Sequence, residues 1–283
     1  MKPMTWRDLP CPLAIGWLLG PLLIGFAAPA SRAETAVPLA EPGSGAWKPL
    51  GFPKIERHTV YDVVRPGGDR AGDTSQPRVA FRARSECSAS GLVLSLDDID
   101  LRRTPRLAWR WKVERELDVA DERSKAGDDF AARVYVMFRF DKAEASLWER
   151  LRYRLARAIY GDEIPGRALN YVWASRAPPG SDWPNPYSAE AHMLVLRSGS
   201  AGAGEWQREL VDLLADHRRL LGEPRTPALA LALMSDSDNT CQRTTAYFAD
   251  FRLLGAEDGA APTPSDAPSP APSASAAPAA GSR

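Results

Sequence analysis

The sequence predicts a mainly β protein, a two-sheet antiparallel β-sandwich with two peripheral helices. Three observations predict it. Between about Trp47 and Leu254, short runs alternate apolar and polar residues with period two, the pattern of strands with one buried face. Gly, Pro, Asp and Ser bound those runs and supply turns. Most gaps lack the helix that a parallel crossover needs, so the pairing is read as antiparallel.

Eight runs are expected as strands: Arg78–Arg84, Gly91–Leu96, Arg106–Glu114, Ala131–Phe140, Leu169–Ser175, His192–Ser198, Ala228–Ser235 and Thr245–Leu253. Two segments show helical spacing instead. Glu144–Tyr160 carries Leu147, Leu151, Leu155 and Ile159, and Gln207–Leu221 carries Leu210, Leu213, Leu214 and Leu221. Both are expected to cap the sandwich. The arginines of the first, Arg150, Arg152, Arg154 and Arg157, are read as solvated.

The two ends fall outside this pattern. Residues 1–33 read as a secretory signal: Lys2 and Arg7 lead, Leu13–Phe26 is apolar, and Ser31-Arg32-Ala33 offers small residues for cleavage after Ala33. Residues 34–50 are expected as a linker, 51–255 as the sandwich, and 256–283 as a disordered tail of Ala, Pro and Ser. Such a chain is periplasmic or secreted, with no transmembrane segment once the signal is removed. Its 36 Lys+Arg balance 36 Asp+Glu, which argues against a nucleic-acid partner recruited by bulk charge. Cys11 leaves with the signal, so Cys87 and Cys241 remain as a candidate disulfide in an oxidising compartment.

Alternation also assigns faces. On Arg106–Glu114, Leu107, Trp109, Trp111 and Val113 face the core. On the strand after Asp129, Ala132, Val134, Val136 and Phe138 share one face with Phe130, while Asp129, Arg133 and Tyr135 share the other. Tyr171 and Trp173 form a pair large enough for either core or stacking platform. With Arg197 and Tyr247 these residues make the polar, aromatic set expected of a sugar-binding sheet face, where rings meet the C–H side of a pyranose and polar tips bond its hydroxyls. The Pro-rich segment Pro178–Tyr187 adds Trp183 and Tyr187 on a stiff loop.

Asp236-Ser237-Asp238-Asn239-Thr240 concentrates oxygen ligands, which makes Asp236, Asp238 and Asn239 a candidate calcium turn. No other cofactor is called for. The chain lacks a Gly-x-Ser-x-Gly elbow, His-Glu-x-x-His, a Walker loop and Cys-x-x-Cys. Catalysis would have to come from paired carboxylates among Asp121, Glu122, Asp128, Asp129 and Asp250.

Five motifs occur in order: Trp109-Arg110-Trp111-Lys112-Val113, Ala126–Tyr135, Leu169–Trp173, Trp183-Pro184-Asn185-Pro186-Tyr187 and Asp236–Thr240. In this the chain resembles the bacterial domain-of-unknown-function family 3047 (DUF3047) over about Phe52 to Leu254. The resemblance implies a secreted or periplasmic protein and brings no activity or catalytic residues. The final Ala246–Arg252 strand also resembles the closing strand of jelly-roll carbohydrate-binding modules, which makes the expected sandwich jelly-roll-like. The leading expectation is noncatalytic binding of a glycan or small polar ligand on the Arg133 face and the Trp183 loop. The alternatives are an envelope protein-interaction module and a carboxylate-dependent glycoside hydrolase or polysaccharide lyase.

Overall fold

A computed structural model describes residues 36–67, 75–96, 99–139, 166–224 and 228–256. The strands are β1 (Val37–Pro38), β2 (Lys48–Leu50), β3 (Val60–Val64), β4 (Ala80–Glu86), β5 (Ala89–Ser95), β6 (Arg106–Val113), β7 (Ala132–Phe138), β8 (Arg167–Ala174), β9 (Asp182–Pro184), β10 (Ala191–Ser198), β11 (Gln207–Asp212), β12 (Ala228–Asp236) and β13 (Arg243–Leu254). They form two sheets. Sheet A runs β11-β6-β13-β4-β3 with β1 beside β13, and sheet B runs β2-β5-β12-β7-β8-β10-β9. The protein is a β-sandwich, and each of the eight expected strands is present. The pairings are antiparallel with one exception: β10 runs parallel to β8, because β9 and the loops around it intervene between them in sequence.

Apolar faces meet between the sheets as the alternation dictates. Trp109 and Trp111 of sheet A point inward and meet Tyr171 and Trp173 of sheet B, with ring centroids 5.8 Å apart for Trp109–Tyr171 and 6.0 Å for Trp111–Trp173. Leu231 and Leu233 of β12, Val134 and Val136 of β7 and Phe248 of β13 fill the remaining space. These contacts supply the main apolar burial of the fold.

Two sequence expectations are corrected here. Residues 36–50 are built into the sandwich: β1 pairs with β13, β2 pairs with β5, and Trp47 packs against Phe81 and Phe251. An isolated Trp between short strands carries no periodic signal, which hid its role. The helix expected over Gln207–Leu221 begins only at Leu213. Gln207–Asp212 is β11, bonded to the free edge of β6, so tertiary hydrogen bonding overrides helical spacing. Asp212 then starts the helix Leu213–Leu221, its carboxylate accepting from the Ala215 amide at 2.9 Å. The other expected helix, residues 144–160, and the expected signal (1–33) lie outside the described residues, as does the expected tail from residue 257 on.

Cys87 and Cys241 form a disulfide across 154 residues. Cys87 lies in the turn from β4 to β5 and Cys241 in the turn from β12 to β13, two places where the chain passes between sheets. The bond therefore joins two corners of the sandwich. No helix among the described residues is long and apolar enough to cross a membrane.

Candidate functional site

The outer face of β7, away from the sandwich core, carries Arg133 and Tyr135. Arg133 is 1% exposed, and its five N–H donors find five acceptors. Nε donates to Asp236 Oδ1 at 2.7 Å, Nη1 to Asp128 Oδ1 and to the Tyr135 hydroxyl, each at 3.2 Å, and Nη2 to Asp236 Oδ2 and the Asp128 carbonyl. Its guanidinium also lies 4.5 Å from the Phe130 ring centroid. The fork on Asp236 is bidentate, the geometry guanidinium and carboxylate match best.

Neighbouring loops lock onto this centre. Asp129 accepts from the Asn239 amide and side chain at 3.1 and 3.0 Å, and from the Thr240 amide and hydroxyl at 2.6 Å each. Asn185 donates to Asp128 Oδ2 at 3.3 Å, and its own Oδ1 accepts from the Tyr187 and Ser188 amides. Gly127 lets the preceding turn close, since a Cβ there would lie 2.1 Å from the Asp121 carbonyl oxygen. Behind the cluster, Asn170 donates to Met193 Sδ at 3.0 Å while its Oδ1 has no partner among the described residues.

Burial pushes the Asp128 carboxyl up, with the Arg133 charge pulling the other way. Burial works against the Arg133 charge too, but Asp128 and Asp236 outweigh it and keep it protonated. Burial pushes the Tyr135 phenol up to about 12, against the pull of Arg133. The cluster is thus a desolvated ion network in which one cation is shared by two carboxylates.

The sequence-expected residues part company in this structure. Tyr171 and Trp173 are 0% and 1% exposed; they belong to the core, because odd positions of β8 face sheet A, and they offer no sugar platform. Trp183 is buried as well, in a second apolar cluster with Val172, Met193 and Phe130 on the outer side of sheet B; Phe130, expected on the core face with Ala132 and Val134, precedes β7 and turns to the opposite side. Trp183 pins β9 and its loop to the sheet. Arg197 reaches across to sheet A and donates to Glu209 at 2.8 Å. Tyr247 is on the outer face of sheet A, its hydroxyl donating to Glu114 at 2.6 Å and Lys112 4.3 Å from its ring centroid.

Asp129, Arg133, Tyr135 and Tyr187 do come together, with Asp236, Asp238 and Asn239 beside them. Asp129, Asp236 and Asp238 place one carboxylate oxygen each within 4.8 Å of the others; Asp236 and Asp238 belong to the expected calcium turn, and Asp129 stands where Asn239 was expected. Yet the Asp129 oxygens already accept four bonds and Asp236 is taken by Arg133 and the Phe130 amide. Arg133 supplies the positive charge that an ion would bring. Of the carboxylates considered for hydrolysis, Asp128 and Asp129 lie together in the Arg133 cluster, while Glu122 accepts from the amides of residues 175–177 and Asp250 pairs with Arg110 on sheet A.

Asn185 and Lys125 were not singled out from the sequence, though Asn185 lies in the quoted Trp183–Tyr187 motif. Their roles depend on loops far apart in the chain meeting at Tyr187, whose hydroxyl lies 3.0 Å from the Lys125 carbonyl oxygen and 3.1 Å from Asn239 Oδ1.

A β-sandwich with a sealed ion cluster beneath one loop-bearing end is the class of protein this geometry defines. The chain belongs to the DUF3047 family, described as a protein of unknown function, whose model matches residues 45–252. No curated protein matches it significantly. Among solved structures, it is similar to a family 11 carbohydrate-binding module from Clostridium thermocellum, determined with a β-1,3-1,4-mixed-linked tetrasaccharide, at 9% identity and TM-score 0.36 over 80% of this chain and 98% of that one. A family 30 carbohydrate-binding module of the same organism shows 13% identity and TM-score 0.37 over 78% and 98%. SGBP-B from a Bacteroides uniformis xyloglucan utilization locus shows 14% identity and TM-score 0.29 over 73% and 49%.

Proposed function

We propose that the protein is a noncatalytic binding module that takes a glycan or similar polar ligand at the sandwich end around Tyr187. The observation that carries this reading is the state of that ring. Tyr187 is 58% exposed, yet its hydroxyl is held by Lys125 and Asn239 and its backbone amide by Asn185. An exposed aromatic face that is already immobile loses little entropy when a pyranose stacks on it. Asn239 supplies a polar tip at the edge of the ring, and the Lys125 ammonium lies over one face, 5.5 Å from the centroid. Arg133, Asp128 and Asp236 act beneath as the support that fixes the three loops.

The disulfide and the signal-like N-terminus support a periplasmic or secreted location, since such bonds persist in oxidising compartments. A glycan array followed by calorimetry on the best hit tests the reading. Tyr187→Ala is expected to weaken that ligand by about tenfold or more, the loss typical of a central aromatic contact. Unchanged affinity in Tyr187→Ala removes this end from the reading, and an array without any hit removes the glycan.

A further inference from the structure

Next to the disulfide, with Glu86 and Ser88 on either side of Cys87 among its lining residues, lies a cleft of about 750 Å³ that the reading above does not use. Its walls come from the segment before β3, from β4, from the end of β6 and from the start of β13. Four arginines line it, Arg57, Arg84, Arg115 and Arg243, against two carboxylates, Glu86 and Glu114. The chain as a whole is neutral, so this surplus of positive charge is local. The four arginines are exposed.

The internal pairings do not cancel the surplus. Arg243 pairs with Glu86. Arg84 lies 3.0 Å from Asp62, a carboxylate that Arg82 already holds at 2.8 Å. Among the described residues the Arg57 side chain reaches only the Glu86 carbonyl, at 3.3 Å. The Arg115 side chain has no hydrogen bond or ion pair among the described residues. The walls are firm: the Cys87–Cys241 bond ties the β4 end to the turn before β13, and Ser85 bonds Ser237 at 2.8 Å beneath them.

We propose that this cleft binds an acidic saccharide, its carboxylates on Arg57 and Arg115 and its hydroxyls on Glu86 and Glu114. A guanidinium fork matches a carboxylate bidentately, and the volume falls within the range of small-molecule sites. The two glutamates decide the class of anion. A phosphate brings up to two negative charges against Glu86 and Glu114 with at most two hydroxyl donors, whereas a carboxylated sugar spreads one charge per ring among several hydroxyl donors that these carboxylates accept. The site is separate from Tyr187, and its test does not rest on that reading.

The test is calorimetry on the full chain with trigalacturonate, its methyl ester and inorganic phosphate as probes. Trigalacturonate binds, more weakly as salt rises because exposed charges are screened, while the ester and phosphate bind at least about tenfold more weakly, the cost of losing one charge-assisted contact. Arg115→Glu and Arg57→Glu, both at exposed positions, each weaken trigalacturonate by about tenfold or more. Arg102→Glu, an equal charge change outside the cleft, leaves the affinity unchanged. The proposal is overturned by an absence of trigalacturonate binding, by equal binding of the ester, by phosphate binding as well as the acid, or by wild-type affinity in Arg115→Glu.

Discussion

The outer faces of the two sheets use the same residue types to opposite ends. On sheet B, Arg133 meets Asp128 and Asp236 with side chains 2%, 7% and 2% exposed. On sheet A, Arg243 meets Glu86 with side chains 73% and 51% exposed, and Arg82 and Arg84 share Asp62. Both faces show close ion pairs. Burial separates them: without water, Arg133 and its carboxylates depend on each other for solvation, while the sheet A pairs exchange partners with solvent at little cost. The sealed face serves as a framework for loops, and the open face keeps its charges available to a ligand.

The largest expected effect sharpens this contrast. Arg133→Met should destabilise the protein by about 3–5 kcal/mol in urea unfolding, because Asp128 and Asp236 would stay buried without their cation. A loss under about 1 kcal/mol would show that the face is wetter than its geometry states. Next comes the covalent tie behind both faces. The Cys87→Ser/Cys241→Ser double variant should lose about 2–5 kcal/mol, and reductant should lower the thermal midpoint of the parent but not of the variant.

A smaller effect is expected from the open face. Glu86→Gln should change stability by less than about 1 kcal/mol, with the difference shrinking as salt is raised; a larger, salt-independent loss would erase the distinction between the faces. The smallest effect concerns calcium. Because Arg133 and the Asn239 and Thr240 donors already occupy the oxygens of Asp129 and Asp236, calcium and chelator should give thermal midpoints within about 1 °C of each other, as expected when nothing binds the native state. A calcium-dependent rise would assign the Asp238 turn to a metal.

Much of the fold was legible in the sequence because a strand buried on one face must alternate. Each of the eight expected strands is found, and Trp109 and Trp111 are core as the face assignment required. The same rule held for Arg133 and Tyr135, which share the face away from the core. For Tyr171 and Trp173 it showed that they share a face and left open which one; the answer lies in whether sheet A covers odd or even positions of β8. Trp183 misled for a related reason. A Trp on a Pro-rich loop reads as exposed, but Phe130 and Met193 on the outer side of sheet B give it an apolar surface to cover.

The sequence by itself determined the β-sandwich class, which residues of an expected strand share a face and the cysteine pair available for bonding, since each follows from local period or from counting residues. The tertiary structure alone decided which polar residues meet. Asp128 and Arg133 come from one segment and Asn185 and Asp236 from two others, while Arg57, Arg84, Arg115 and Arg243 come from four. Local patterning records only that each is polar at its position. Whether such a group ends in a sealed ion network or an open cleft depends on how the strands are ordered and what the loops cover, and that sets its solvation.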